Sequence, residues 1–171
     1  MEIDSELPVM AKILLDRFRD EKMRLATAES CTGGLVSALL TSVPGSSDVF
    51  DRAFITYSND AKREMLGVSS KNLVEFGAVS AQVAAEMARG AVEYSSANAA
   101  AAITGVAGPG GGTDEKPVGL VFIAIARRSD EGSFVEEFRF PDLSRDDVRN
   151  ESAKMAMEML LAYAIDDEEN Q

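Results

Sequence analysis

The run AAAAIT at residues 99–104, closed by Gly105, is apolar on both alternating faces until its final threonine. A strand with no polar face must be covered on both sides, so this run predicts a central strand between helical layers. Four further strands are expected, at 25–29, 52–57, 119–126 and 134–140. The last two flank Ser129-Asp130-Glu131-Gly132 and predict an antiparallel hairpin. Between the strands, helical spacing predicts helices at 8–20, with Met10, Ile13, Leu14 and Phe18 inward, and at 33–41. Ser58-Asn59-Asp60 offers cap chemistry for a short helix carrying Lys62, and Ser69 or Ser70 for another ending near Phe76-Gly77. Ser80 opens a longer helix with Val83, Ala84, Met87, Ala91 and Tyr94 on its apolar side. A final helix spans 144–163. Five strands interleaved with helices predict an α/β chain, a three-layer α/β/α sandwich around a mixed sheet.

The 171 residues fit one domain over 1–165, followed by an acidic tail at 166–171. A net charge of −12 disfavours a nucleic-acid surface, which needs a basic patch. The apolar runs are too short to span a membrane, and Glu2, Asp4 and Glu6 interrupt any leader-like start, so a cytoplasmic location is expected. Cys31 is the only cysteine, which excludes an intrachain disulfide and a thiolate metal cluster. No metal or cofactor is expected.

The chain contains no histidine. A nucleophile here would need activation by something other than imidazole. The segment AESCTGG at 28–34 joins an expected strand to an expected helix, placing Ser30 and Cys31 at a helix start, where free N–H groups suit an anion or oxyanion. Ser30 reads as a helix cap, the commoner role for a serine there, or as a nucleophile on a strand-to-helix turn. The Gly-x-Ser-x-Gly elbow is absent. Cys31 reads as a rival nucleophile or as a small apolar residue.

Lys62, on the short helix after the second strand, can lie on the surface beside Arg63 and Glu64. It can also reach back over the C-terminal edge of the sheet, where open α/β folds bind ligands. Desolvated there, its neutral amine could take a proton from serine. Tyr57 reads as a strand-end aromatic or as part of that proton network. Glycines 105, 108 and 110–112 make 105–117 the only glycine-rich segment, a flexible connection or a close backbone cradle for an anion. It matches neither a P-loop nor a dinucleotide fingerprint.

Three motifs in order, AESCTGG at 28–34, TYSNDAK at 56–62 and TGVAGPGGGTDEKPVG at 104–119, closely resemble the CinA C-terminal family over nearly the whole chain. The resemblance implies a three-layer α/β/α sandwich and, from characterised members, metal-independent hydrolysis of the carboxamide of nicotinamide mononucleotide to nicotinic acid mononucleotide and ammonia. It implies Ser30 as nucleophile, Lys62 as general base, Tyr57 in the proton network and Thr104 in contact with substrate. Arg145 matches an arginine that follows Gly-Asp in many members, whereas Leu143-Ser144 precede it here. Full-length CinA proteins carry a further N-terminal domain, and this length fits the stand-alone form. A homodimer or higher homo-oligomer is the family-weighted expectation. For the amide chemistry, backbone N–H groups of Thr32, Gly33 and Gly34 are the expected oxyanion donors, with Gly105, Gly108 and Arg145 the expected contacts for the rest of the substrate. The alternative from another class is a non-catalytic or regulatory mononucleotide-binding module.

Overall fold

The computed structural model describes residues 3–163. Five strands form one sheet: β1 Leu25–Glu29, β2 Phe50–Ile55, β3 Ala99–Gly105, β4 Leu120–Arg127 and β5 Ser133–Arg139. Their order is β2-β1-β3-β4-β5. β1 runs parallel to both β2 and β3, and the β3–β4 and β4–β5 pairs are antiparallel. The sheet is mixed, as expected, and the three parallel strands end on the same edge.

The alanine-rich strand sits at the centre with every side chain buried through Thr104. Its alternation splits the core in two. Ala99, Ala101 and Ile103 face a layer made of α1 Leu7–Asp20, α2 Leu35–Thr41 and α6 Arg145–Tyr163. Ala100 and Ala102 face the opposite layer, dominated by α5 Ala81–Glu93, with Leu66 from α3 Asn59–Leu66. The short helix α4 Ser70–Glu75 connects α3 to α5. β1 obeys the same period of two: Leu25 points to the first layer, Ala26 and Ala28 to the second. Glu29 and Ser30 therefore leave the end of β1 toward opposite faces of the sheet.

Local chemistry sets the helices that matter for the site. The Ser58 hydroxyl accepts the Ala61 N–H at 3.0 Å and starts α3, which carries Lys62. Ser80 caps α5 in the same way through the Val83 N–H. At Gly90 of α5, an added Cβ would lie 2.0 Å from the Leu66 carbonyl oxygen. Only glycine lets the end of α3 approach α5 so closely.

Several expectations need correction. The second strand is Phe50–Ile55, so Tyr57 lies in the turn beyond its end. The helix expected from 33 begins at Leu35, because Gly33 and Gly34 take left-handed φ values of 62° and 96°. Ile13 and Tyr94, expected inward, are exposed: Ile13 sits on the solvent side of α1, and Tyr94 falls past the last turn of α5. The expected acidic tail lies outside the described residues. No helix among the described residues is long and apolar enough to cross a membrane.

Candidate active site

The ends of the three parallel strands and the loops beyond them enclose a cavity of about 220 Å³. Ser30, Cys31, Tyr57, Lys62, Thr104, Gly105 and Arg145 line it, together with Ala78, Val79 and Ala107. Side chains more than thirty residues apart in sequence thus meet because β1, β2 and β3 all deliver their C-terminal ends to one edge.

Lys62 is 1% exposed. Its Nζ lies 3.0 Å from Ser30 Oγ and donates to the Thr56 carbonyl at 2.7 Å. No carboxylate among the described residues pairs with it. Burial pulls its pKa below the ordinary 10.5, opposed only by the nearby Cys31. Both features favour the neutral amine, which is the form able to accept a proton. Cys31 is buried, and that burial pushes its thiol up to about 12, with Glu29 adding in the same direction. At neutral pH it is a thiol and a poor nucleophile.

The remaining expected residues divide. Thr104 lines the cavity, with its hydroxyl held by the Ala78 carbonyl at 2.8 Å. Gly105 lines it too, and its lack of a side chain is required by the Leu120 carbonyl, which would lie 2.7 Å from an added Cβ. Arg145 opens α6 at the cavity wall and donates to the Gly108 carbonyl at 2.5 Å and to the Tyr57 hydroxyl at 3.2 Å. Tyr57 lines the cavity but is 63% exposed, and its hydroxyl is held by Arg145 rather than by Ser30 or Lys62. Beyond the end of β2 it turns outward to the guanidinium. Gly108 reaches the site only through its carbonyl to Arg145.

Of the three expected oxyanion donors, the Gly33 and Gly34 amides are engaged within the chain, whereas the Thr32 amide bonds no oxygen among the described residues. The Gly33 N–H goes to the Ser30 carbonyl at 3.0 Å, and the Gly34 N–H to the Glu29 carboxylate, also at 3.0 Å. The Thr32 hydroxyl donates to the same carboxylate at 2.8 Å. Sequence reading missed Glu29 because a strand-end glutamate ordinarily reads as solvated. The available signal was its register: two places after Thr27, it shares the fully covered first face of β1. Thr56 was missed as well, since a carbonyl that orients an amine leaves no mark in side-chain chemistry.

Comparison with known proteins fits this geometry. The model of the CinA C-terminal domain matches residues 8–164. The chain belongs to the CinA C-terminal domain family. It is 43% identical over 157 residues to the nicotinamide-nucleotide amidohydrolase PncC of Escherichia coli K12, covering 92% of this chain and 94% of that protein. It is 48% identical over 158 residues to a CinA-like protein of Syntrophobacter fumaroxidans, covering 92% of this chain and 37% of that relative. The chain thus spans under two fifths of the length of the first curated relatives it matches, from 34% to 39%. Among solved structures, the competence/damage inducible protein CihA of Agrobacterium tumefaciens superposes with a TM-score of 0.91 at 46% identity, covering 95% of this chain and 98% of that one. A CinA superfamily protein of Escherichia coli gives 0.86 at 33% identity, covering 94% and 92%. These CinA structures share the mixed five-stranded α/β fold described above.

Proposed function

We propose that this CinA-family chain is a metal-independent amidohydrolase acting on the carboxamide of nicotinamide mononucleotide. The single observation that supports it most is the buried Lys62 amine, 3.0 Å from Ser30 Oγ with no carboxylate beside it. With the amine neutral, the Ser30 hydroxyl donates into the Nζ lone pair while an amine N–H stays on the Thr56 carbonyl. Ser30 Oγ attacks the carboxamide carbon, and its proton passes to Lys62. Lys62 then returns that proton to the leaving nitrogen, ammonia departs, and an acyl-serine remains. Water attacks this ester and gives a proton to Lys62, Lys62 passes that proton to the departing Ser30 Oγ, and the product acid ionises to the carboxylate.

A cavity of about 220 Å³ suits the pyridine carboxamide, with Arg145 at the wall as the cation for the phosphate end. The 43%-identical PncC, by its name a nicotinamide-nucleotide amidohydrolase, supports this substrate class. Among the described residues no group of three or more histidine, cysteine or acidic side chains could hold a metal. A cytoplasmic protein working as a homodimer or larger homo-oligomer, without nucleic acid or membrane, fits the same reading.

The test is ammonia release from nicotinamide mononucleotide by the purified protein, with nicotinamide riboside as the phosphate-free comparison. Ser30→Ala and Lys62→Ala are each expected to lose about a thousandfold or more in kcat while remaining folded. Cys31→Ala is expected to stay active. Tight binding of the nucleotide with no ammonia released would instead favour the binding-module alternative.

A further inference from the structure

Glu29 is fully buried, one residue before Ser30, and projects to the other side of the sheet. No lysine or arginine among the described residues pairs with it. Its oxygens instead collect five donors. Oε1 accepts the Ser37 N–H at 2.9 Å and the Thr27 hydroxyl at 3.3 Å. Oε2 accepts the Thr32 hydroxyl at 2.8 Å, the Gly34 N–H at 3.0 Å and the Val36 N–H at 3.1 Å. The carboxylate thereby fills the N-terminus of α2 from within the chain, so an external anion has no place there.

The partners of each amide along the turn show what this leaves. The Ser30 N–H goes to the Ile103 carbonyl, Gly33 to Ser30 and Leu35 to Thr32. Gly34, Val36 and Ser37 go to Glu29, and Ala38 goes to the Gly34 carbonyl. From 30 to 38, only the Cys31 and Thr32 amides bond no oxygen among the described residues; both lie against the Cys31 sulfur, a weak acceptor. These are the amides immediately following the nucleophile, and Cys31 lines the cavity. On the far side, Arg149 Nη2 holds the Thr32 carbonyl at 2.7 Å, so Thr32 is gripped by both side chain and backbone.

We infer that Glu29 is the positioning residue of the nucleophile turn: by engaging Thr32, Gly34 and the start of α2, it leaves the Cys31 and Thr32 amides as the donors for the substrate oxyanion. This rests on the serine amidase reading above. Glu29 touches no reacting atom and transfers no proton. Its effect falls on the stage at which charge develops on the carbonyl oxygen, and so on kcat rather than on substrate binding.

The experiment compares Glu29→Gln, Thr32→Val and Thr32→Ser with the wild type. It measures kcat and KM for ammonia release from nicotinamide mononucleotide, normalised to the folded fraction from circular dichroism. It also measures the rate at which a fluorophosphonate probe labels Ser30, since its phosphoryl oxygen needs the same donors. Glu29→Gln presents an amide donor to groups that already donate. It is expected to lower kcat per folded molecule about 100-fold and slow labelling comparably, with KM within about threefold. Thr32→Val keeps the shape but loses one donor to Glu29, and is expected to fall at least about tenfold in both rates. Thr32→Ser keeps the hydroxyl and is expected to recover most of that loss. If Glu29→Gln does not fold, the Thr32 pair decides.

A merely structural Glu29 would lower the folded fraction while leaving kcat and labelling per folded molecule near wild type, and that result overturns the inference alone. Wild type that neither releases ammonia nor labels at Ser30 overturns the amidase reading and this inference with it. Wild type that labels without releasing ammonia overturns only the substrate assignment, and the labelling rates of the variants then decide for or against Glu29.

Discussion

Glu29 and Lys62 are both buried ionisable side chains flanking the same nucleophile, and their surroundings are opposite. Glu29 is 0% exposed and accepts from five donors. Lys62 is 1% exposed and has one carbonyl, one hydroxyl and no counter-charge among the described residues. A buried group whose hydrogen-bonding capacity is filled serves as structure, because removing it strands every partner at once. A buried amine with few partners is held away from its preferred charge state, which is what proton transfer near neutral pH requires. The sheet keeps the two apart: adjacent positions on β1 point to opposite layers, so the filled side and the poised side meet only through the backbone of the turn.

That contrast can be broken most forcefully at Glu29. Glu29→Ala leaves three α2 or pre-helix N–H groups and two hydroxyls without their acceptor, and is expected to cost about 3 kcal/mol or more in urea unfolding. A loss below about 1 kcal/mol would show that water or the turn itself replaces the carboxylate. Gly90→Ala attacks the poised side from a distance. Its methyl would sit 2.0 Å from the Leu66 carbonyl, so α3 must shift and carry Lys62 with it. The expected result is a loss of about 1–3 kcal/mol with kcat falling at least about tenfold, read from unfolding and ammonia assays. Full activity would mean that the spacing of α3 and α5 does not set the Lys62–Ser30 contact.

Lys62→Met should have the reverse effect of Glu29→Ala on stability. Because the folded pKa of Lys62 lies below 10.5, the unfolded chain binds more protons between those two values, and stability rises with pH across that window. Below the folded value the wild type bears the whole penalty of a buried charge. Lys62→Met removes it, so its melting temperature at pH 6 is expected to equal or exceed that of wild type, with the advantage shrinking as pH approaches 10.5. The smallest effect belongs to Cys31→Ala, expected within about threefold of wild-type kcat. That outcome follows from a thiol held up to about 12.

Much of this molecule was readable from residue patterns. The apolar run at 99–104 placed the central strand, and serine caps placed α3 and α5, because both signals are local. The family resemblance and the missing histidine together directed attention to Ser30 and Lys62, and the fold brings them into hydrogen-bond contact. What local pattern leaves out has a common cause. The direction in which Tyr57 points depends on Arg145, 88 residues away. The amides of Gly33 and Gly34 were assigned to the substrate because a helix start ordinarily offers them. An internal carboxylate had already taken that end of α2, and nothing local to the glycines reveals it. Glu29 was legible only as an acidic residue on a buried face.

The central claim is that burial beside Ser30 pulls Lys62 toward its neutral amine. A titration of lysine side chains by NMR, following the ¹³Cε shifts in wild type and in Lys62→Ala, tests it directly and without any substrate. The account predicts one resonance, absent from Lys62→Ala, that titrates well below 10.5. A Lys62 resonance titrating at or above 10.5 would contradict it.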